Sequence, residues 1–260
     1  RGVMLREERT ERILQYLAQH GFAKIQEIME LCNVSRPTAL RDLIRMENEG
    51  LLIRTHGGAR SIRRTTAFEP RHRWKESQHA EEKKKIAALA KDMVEDGDTI
   101  LLDSGTTTLM LARELASFKN ITVITNDIMI AMTLSDNDDI QLVMLGGQRR
   151  KGVYSLIGPF AEQILNQLNV DKAFLGADSV DLVHGITNSN IEELSLKKTI
   201  LDISQKTILL ADSSKFNNVG FVKVADLERI DTIVTDGGIR KLDPLLDQLR
   251  DMNVDIRIAD

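Results

Sequence analysis

The sequence predicts an α/β protein in two parts. An N-terminal winged helix-turn-helix domain spans residues 1–62, and a larger α/β domain with a mostly parallel sheet spans residues 79–260. Three observations lead there. Helical periodicity dominates up to Gly50 and then gives way to a short extended hairpin around Gly57-Gly58. From Gly97 onward, β-rich apolar runs alternate with helical stretches, the pattern of a parallel sheet covered on both faces. Charge is divided between the parts: residues 1–75 hold 15 Lys+Arg against 9 Asp+Glu, a net +6, whereas the rest of a chain with overall charge −4 carries −10. A basic segment joined to an acidic one predicts that only the first part meets a polyanion.

In the first part, Ile13, Leu14, Leu17 and Ala18 recur at helical spacing, so residues 7–19 form an amphipathic helix ending near Gly21. Ile25, Ile28, Met29 and Leu31 give the apolar face of a second helix, and Asn33-Val34 make a tight turn. Ser35 is placed as an N-cap whose hydroxyl accepts a free backbone N–H, with Pro37 in the first turn where its missing donor costs nothing. The third helix runs to about Glu49, which completes a helix-turn-helix. Leu51 to Ile62 then read as a β-hairpin wing in which Gly57-Gly58 supply positive φ for the reversal, and Arg54, His56, Arg60, Arg63 and Arg64 gather near its tip. In such a domain the third helix enters the major groove while wing cations meet phosphates. The candidate DNA-contacting set is Ser35, Arg36, Pro37, Thr38, Arg41, Arg54, His56, Gly57 and Gly58.

Residues 63–78 show no clear period and read as a connector, with Trp74 an anchor that packs it onto one domain. Buried strands are expected at 99–103, 121–125, 140–145, 172–176, 207–211 and 231–235, with helices near 107–118, 127–135, 159–168, 190–203 and 242–252. Ligands of such sheets bind beyond the carboxyl ends of strands. After the first strand, Asp103 is followed by Ser104, Gly105, Thr106, Thr107 and Thr108 at a helix start, where backbone N–H groups and hydroxyls suit an anion. No lysine completes a nucleotide-triphosphate loop there. Thr125-Asn126, Gly146-Gly147, Gly176-Ala-Asp178 and Asp212-Ser-Ser-Lys215 close the next strands with polar or glycine residues, as a pocket for a polar, phosphorylated small molecule requires.

Hydrophobic residues make up 42% and charged residues 28%, and no apolar run approaches the roughly 18 residues that span a bilayer. The first ten residues carry five charged side chains, unlike a signal peptide, and Cys32 is the single cysteine. A cytoplasmic location without membrane contact is therefore expected. The five histidines lack paired spacing, so neither a metal site nor a cofactor is expected.

The stretch Val34-Ser-Arg-Pro-Thr-Ala-Leu-Arg-Asp-Leu43, followed by Arg54 and His56-Gly-Gly-Ala59, resembles the DeoR family of bacterial repressors, whose pattern runs V-S-x-x-T-x-R-R-D-L and then an arginine and H-G-G-A. Leu40 departs from it, standing where the family usually places the first arginine of its pair. Asp103-Ser-Gly-Thr-Thr107, Thr125-Asn126, Gly146-Gly147, Gly158, His184-Gly-Ile-Thr187, Glu193, Lys197 and Ala211-Asp-Ser-Ser-Lys-Phe216 resemble the same family's sensor domain. The resemblance implies a fold similar to ribose-5-phosphate isomerase and a sugar-phosphate effector. It places the phosphate at residues 103–108, Asp178 and Lys215 near the sugar, and Asn126, Gly146 and Gly147 along the pocket. It also implies a repressor that binds double-stranded operator DNA as a homo-oligomer, dimer or tetramer.

Two rival readings stand beside this one. A sugar-phosphate isomerase would use Asp178 and Asp181, yet residues 179–196 contain no Lys or Arg to stabilise an enediolate. An effector domain of the periplasmic-binding-protein type would need a longer chain than the part beyond the connector provides.

Overall fold

Ile100, Leu101 and Leu102 are apolar without alternation, which a strand tolerates only when both of its faces are covered. In the computed structural model, which describes residues 4–62, 66–252 and 254–260, such strands form the middle of a seven-stranded parallel sheet. The chain divides into two units, Arg1–Thr65 and Thr66–Asp260.

The first unit comprises α1 (Arg6–His20), β1 (Phe22–Lys24), α2 (Ile25–Cys32), α3 (Arg36–Asn48), β2 (Leu52–Thr55) and β3 (Gly58–Ser61). Its strands form an antiparallel sheet in the order β1-β3-β2. Helical spacing buries Ile13 and Leu17 of α1, Ile28 of α2 and Ala39, Leu43 and Met46 of α3. Asn33 adopts the left-handed conformation that ends α2, with φ 51°. Ser35 occupies the N-cap position, but its hydroxyl faces that of Thr38 at 3.1 Å and caps no backbone N–H. Neither Gly57 nor Gly58 has the positive φ expected of the reversal. Gly58 is needed for another reason: a Cβ there would stand 2.0 Å from the Ala23 carbonyl oxygen, so a side chain would push β1 off β3. Arg63 and Arg64, expected at the wing, lie outside the described residues.

The second unit begins inside the expected connector. From Thr66 the chain belongs to this unit and includes α4 (His72–Ser77), a helix too short to show a period, before α5 (Ala80–Lys91). Then follow β4 (Thr99–Leu102), α6 (Thr106–Leu115), β5 (Ile121–Thr125), α7 (Ile128–Leu134), β6 (Ile140–Met144), the small hairpin β7 (Gln148–Arg149) and β8 (Leu156–Ile157), α8 (Pro159–Leu165) and β9 (Val170–Gly176). The remainder is β10 (Ser179–Asp181), β11 (Gly185–Asn188), α9 (Leu194–Ile203), β12 (Ser204–Leu210), β13 (Val222–Ala225), β14 (Thr232–Asp236), α10 (Asp243–Asp251) and β15 (Asp255–Ala259).

The parallel sheet runs β15-β14-β12-β9-β4-β5-β6, and β10, β11 and β13 form a separate antiparallel sheet. Ile100, Leu102, Val123, Phe174, Ile208 and Leu210 pack on one face with α5 and α6; Leu101, Ile124, Ala173, Leu175 and Leu209 pack on the other with α8, α9 and α10. All six expected strands are present. The seventh, β15, alternates exposed Asp255 and Arg257 with half-buried Ile256 and Ile258, as befits an edge strand. Strand order reverses beside β4: the chain moves outward through β5 and β6, then returns to lay β9 on the other side of β4. The carboxyl ends of β4 and β9 are therefore the topological switch point, where such sheets open a crevice.

Candidate functional site

On α3 of the first unit, Ser35, Arg36, Pro37 and Arg41 are exposed and Thr38 is half-buried. The opposite side of the helix is fixed to α1 by charge. Asp42, buried, accepts from Arg9 at 2.7 and 3.1 Å, while Arg45 donates to Thr10 Oγ1 at 2.6 Å and to Glu49 at 2.8 Å. The wing is tied down as well. Arg54 donates through its backbone N–H and Nε to Glu47 at 3.0 and 2.6 Å, and the Gly57 carbonyl accepts from Ile25 N at 2.8 Å. Arg54 and His56 remain exposed, Arg54 held beside the third helix by its pair with Glu47.

The second unit has a pocket at the switch point, lined by Ser104, Gly105, Thr106 and Thr107 after β4, by Gly176, Ala177 and Asp178 after β9, and by Ala211 and Lys215 after β12. Asp103 stands behind this lining. It is 2% exposed, accepts from Gly176 N at 3.1 Å, and is ion-paired with buried Lys197, which also donates to the Gly176 carbonyl at 3.1 Å. Burial raises the Asp103 carboxyl, while Asp103 and Glu193 hold the Lys197 ammonium above its ordinary value against its own burial, and the bonds both make to Gly176 tie the end of β4 to the end of β9. Asp127 Oδ1 caps α7 by accepting from Met129 N and Ile130 N, and Oδ2 accepts from the Ser104 hydroxyl at 2.6 Å. Beyond Ser104, α6 begins in the pocket wall, where Gly105, Thr106 and Thr107 line it.

The other wall comes from residues ahead of and within α4. Lys75 donates to Glu69 at 3.1 Å and to Asp178 at 2.8 Å, and Ser189 donates to Asp178 through N at 3.0 Å and Oγ at 2.6 Å. Burial alone would raise the Asp178 carboxyl, but Lys75 and Ser189 hold it well below the usual carboxylate range. Arg150, buried, bridges Glu69 and Glu193, the latter at 2.6 Å. His72 also lines the pocket. It is 4% exposed, lies edge-on to Tyr154 at 4.8 Å, and neither ring nitrogen has a hydrogen-bond partner. Burial lowers its pKa, so the imidazole is neutral at pH 7. Of the lining cations Lys75, Arg150, Lys197 and Lys215, only the Lys215 ammonium makes no ion pair among the described residues.

The structure thus gathers Ser104, Gly105, Thr106, Thr107, Asp178 and Lys215 around one pocket and sets Asp103 directly behind it. Besides Asp103, four expected residues do not line it. Thr108 is fully buried with its hydroxyl on the Gly105 carbonyl at 2.9 Å, and Asn126 donates to the Leu156 carbonyl at 3.2 Å. Gly146 lies beyond the lining, and Gly147 serves the β7–β8 hairpin, where its φ is 149° and a Cβ would meet the Ile157 carbonyl oxygen at 2.5 Å. Sequence reasoning missed Glu69, His72, Lys75 and Arg150 as lining residues, and noticed Glu193 and Lys197 without giving them a place. Among the described residues there is no cluster of metal-ligating side chains, and no helix is long and apolar enough to cross a membrane.

Among known proteins, the DeoR-like helix-turn-helix domain matches residues 9–65 and the DeoR C terminal sensor domain matches residues 78–237. The transcriptional repressor AccR of Agrobacterium fabrum is 36% identical over 91% of this chain and 92% of its own length. The HTH-type transcriptional repressor GlcR of Bacillus subtilis is 36% identical over 90% of this chain and 89% of its own. The HTH-type transcriptional regulator IolR of Bacillus subtilis is 34% identical over 87% and 90%. A ribose 5-phosphate isomerase A of Methanocaldococcus jannaschii is similar over 52% of this chain and 53% of its own, at 24% identity and a TM-score of 0.38.

Proposed function

The chain belongs to the DeoR family of helix-turn-helix transcription regulators, and on that premise we propose that it represses a sugar-metabolism operon and releases the operator when its C-terminal unit binds a phosphorylated sugar. Two or more subunits place α3 and the wing on repeated or palindromic half-sites, Ser35, Arg36, Pro37, Thr38 and Arg41 from the helix and Arg54, His56, Gly57 and Gly58 from the wing. The protein works in the cytoplasm as a dimer or tetramer.

One observation carries the effector reading: the start of α6 and the unpaired Lys215 face a single pocket at the switch point. Free N–H groups at a helix start and an ammonium without a carboxylate are what a phosphate dianion needs. Asp178, held ionised, is an acceptor for sugar hydroxyls.

The same geometry counts against an isomerase. A base that takes a carbon-bound proton needs a basic, accessible carboxylate. Asp178 instead has both oxygens engaged by Lys75 and Ser189, and Asp181 is engaged by His184 at 2.8 Å.

The test is a titration of DNA from the gene's own neighbourhood with purified protein, at stated salt, with and without a panel of sugar phosphates. Tight binding relieved by one sugar phosphate supports both halves of the reading. Binding of a sugar phosphate with slow conversion and no DNA binding would replace it with the enzyme.

A further inference from the structure

Helix α3 is amphipathic in an unusual sense, because its outward side is itself partly apolar. Ala39, Leu43 and Met46 are buried beneath it, yet on the other side Leu40 is 39% exposed and Ile44 is 42% exposed. The two stand one helical turn apart and form a continuous aliphatic ridge. Showing it to water contributes nothing to the stability of a small domain. Cations flank the ridge on the same helix: Arg36 and Arg41 are exposed. Neither pairs with a carboxylate among the described residues, and Arg41 donates only to the Pro37 carbonyl, at 3.3 Å.

An aliphatic centre framed by unpaired guanidiniums is complementary to a surface that is anionic at its rim and apolar at its floor. The major groove is such a surface, with phosphates along its edges and the thymine 5-methyl as the apolar group on its floor. A second copy of this chain presenting the same face would instead oppose like charges. We propose that Leu40 and Ile44 read thymine methyl groups, so that this regulator selects operator T·A pairs beneath α3 by apolar contact. The inference rests on the reading of the first unit as operator-binding.

Deoxyuridine supplies the test, since it pairs as thymidine does and lacks only the methyl. The full-length protein is offered a random duplex library made with thymidine and, in parallel, the same library made with deoxyuridine throughout. From the thymidine library a motif with T·A pairs at fixed positions is expected. Affinity for that motif falls about fourfold for each contacted methyl removed. In Leu40→Ala and in Ile44→Ala, both exposed positions where folding is not at risk, the penalty for deoxyuridine shrinks at one position each. Their salt dependence, set by phosphate contacts, stays that of the parent. Equal binding of thymidine and deoxyuridine motifs by the parent overturns the proposal. So does a change of oligomeric state in either variant with the deoxyuridine penalty intact, which would make the ridge a protein interface. Enrichment of no sequence from either library would sink the operator-binding reading itself, a result distinct from the loss of methyl discrimination alone.

Discussion

Lys83 is 2% exposed, and its ammonium donates to the carbonyls of Lys75 and Gln78, the latter at 2.7 Å, with no carboxylate among the described residues in hydrogen-bond reach. Burial pushes its pKa down to about 8, with Lys215 and Lys75 adding to the shift and Asp212 and Glu76 opposing it. Between about 8 and the ordinary 10.5 the unfolded chain holds a proton that the native chain has released, so this group makes stability rise with pH across that window. Below the window it carries its full penalty, on the order of 3 kcal/mol. Thermal denaturation of Lys83→Met beside the parent should therefore show the difference moving in the parent's favour as pH climbs from 8 to 10.5. A pH-independent difference would mean that the amine is not desolvated. Lys215 makes a second prediction at this scale. As the unpaired pocket cation it should contribute a charge-assisted contact to a bound phosphate, and Lys215→Ala should weaken sugar-phosphate binding by about tenfold or more in calorimetry. Thr108→Val should leave that affinity near the parent's, because the Thr108 hydroxyl is turned into its own helix. The reverse pattern would move the phosphate off the start of α6.

Gly58 shows how an element can impose a residue. Strand β1 has three residues, and its register sets Lys24 opposite Gly58, with Ala23 O where a Cβ would go. Gly58→Ala must displace one strand, at about 1–3 kcal/mol in a small unit. Operator binding should fall in a gel-shift assay while sugar-phosphate binding by the other unit persists; loss of neither would show that the wing relaxes freely. The diglycine was visible in the sequence, but its cause was not, because Phe22–Lys24 is too short to carry a strand period. The same limit explains the pocket. Strands such as Ile121–Thr125 and the 172–176 stretch of β9 are short β-rich runs and were legible, as were the loops that follow them. Helix α4 spans six residues amid scattered cations, so Glu69, His72 and Lys75 looked like connector. Arg150 and Lys197 come from elements whose neighbours in space are distant in sequence, 81 residues from Glu69 to Arg150 and 94 from Asp103 to Lys197. No local spacing reports such pairs. Asn126 and Gly147 err the other way: polar and glycine residues at strand ends also serve turns, and here the hydrogen bond to Leu156 and the close approach to Ile157 account for them.

At the scale of the whole chain, a basic reader and an acidic sensor must share one free energy if the sugar phosphate controls the operator. The stretch after Thr66 follows the first unit in sequence and supplies Glu69, His72 and Lys75 to the pocket. Lys75 is shared between Glu69 of that stretch and Asp178 of the sheet, so a phosphate entering the pocket competes with both carboxylates for it. Coupling of this kind is reciprocal: whatever factor the effector takes from operator affinity, the operator must take from effector affinity, typically 5–150-fold. Effector binding measured by calorimetry with and without saturating operator should show that factor, equal within error to the one from DNA titrations. In Lys75→Met the two single affinities are each measured, and the common factor should shrink toward one if the Lys75 pairs with Glu69 and Asp178 carry the coupling. If the effector releases DNA but DNA leaves effector affinity unchanged, the release is not linkage between two sites, and the anion is competing for the DNA surface directly. A full factor in Lys75→Met would keep the linkage and move its route away from α4.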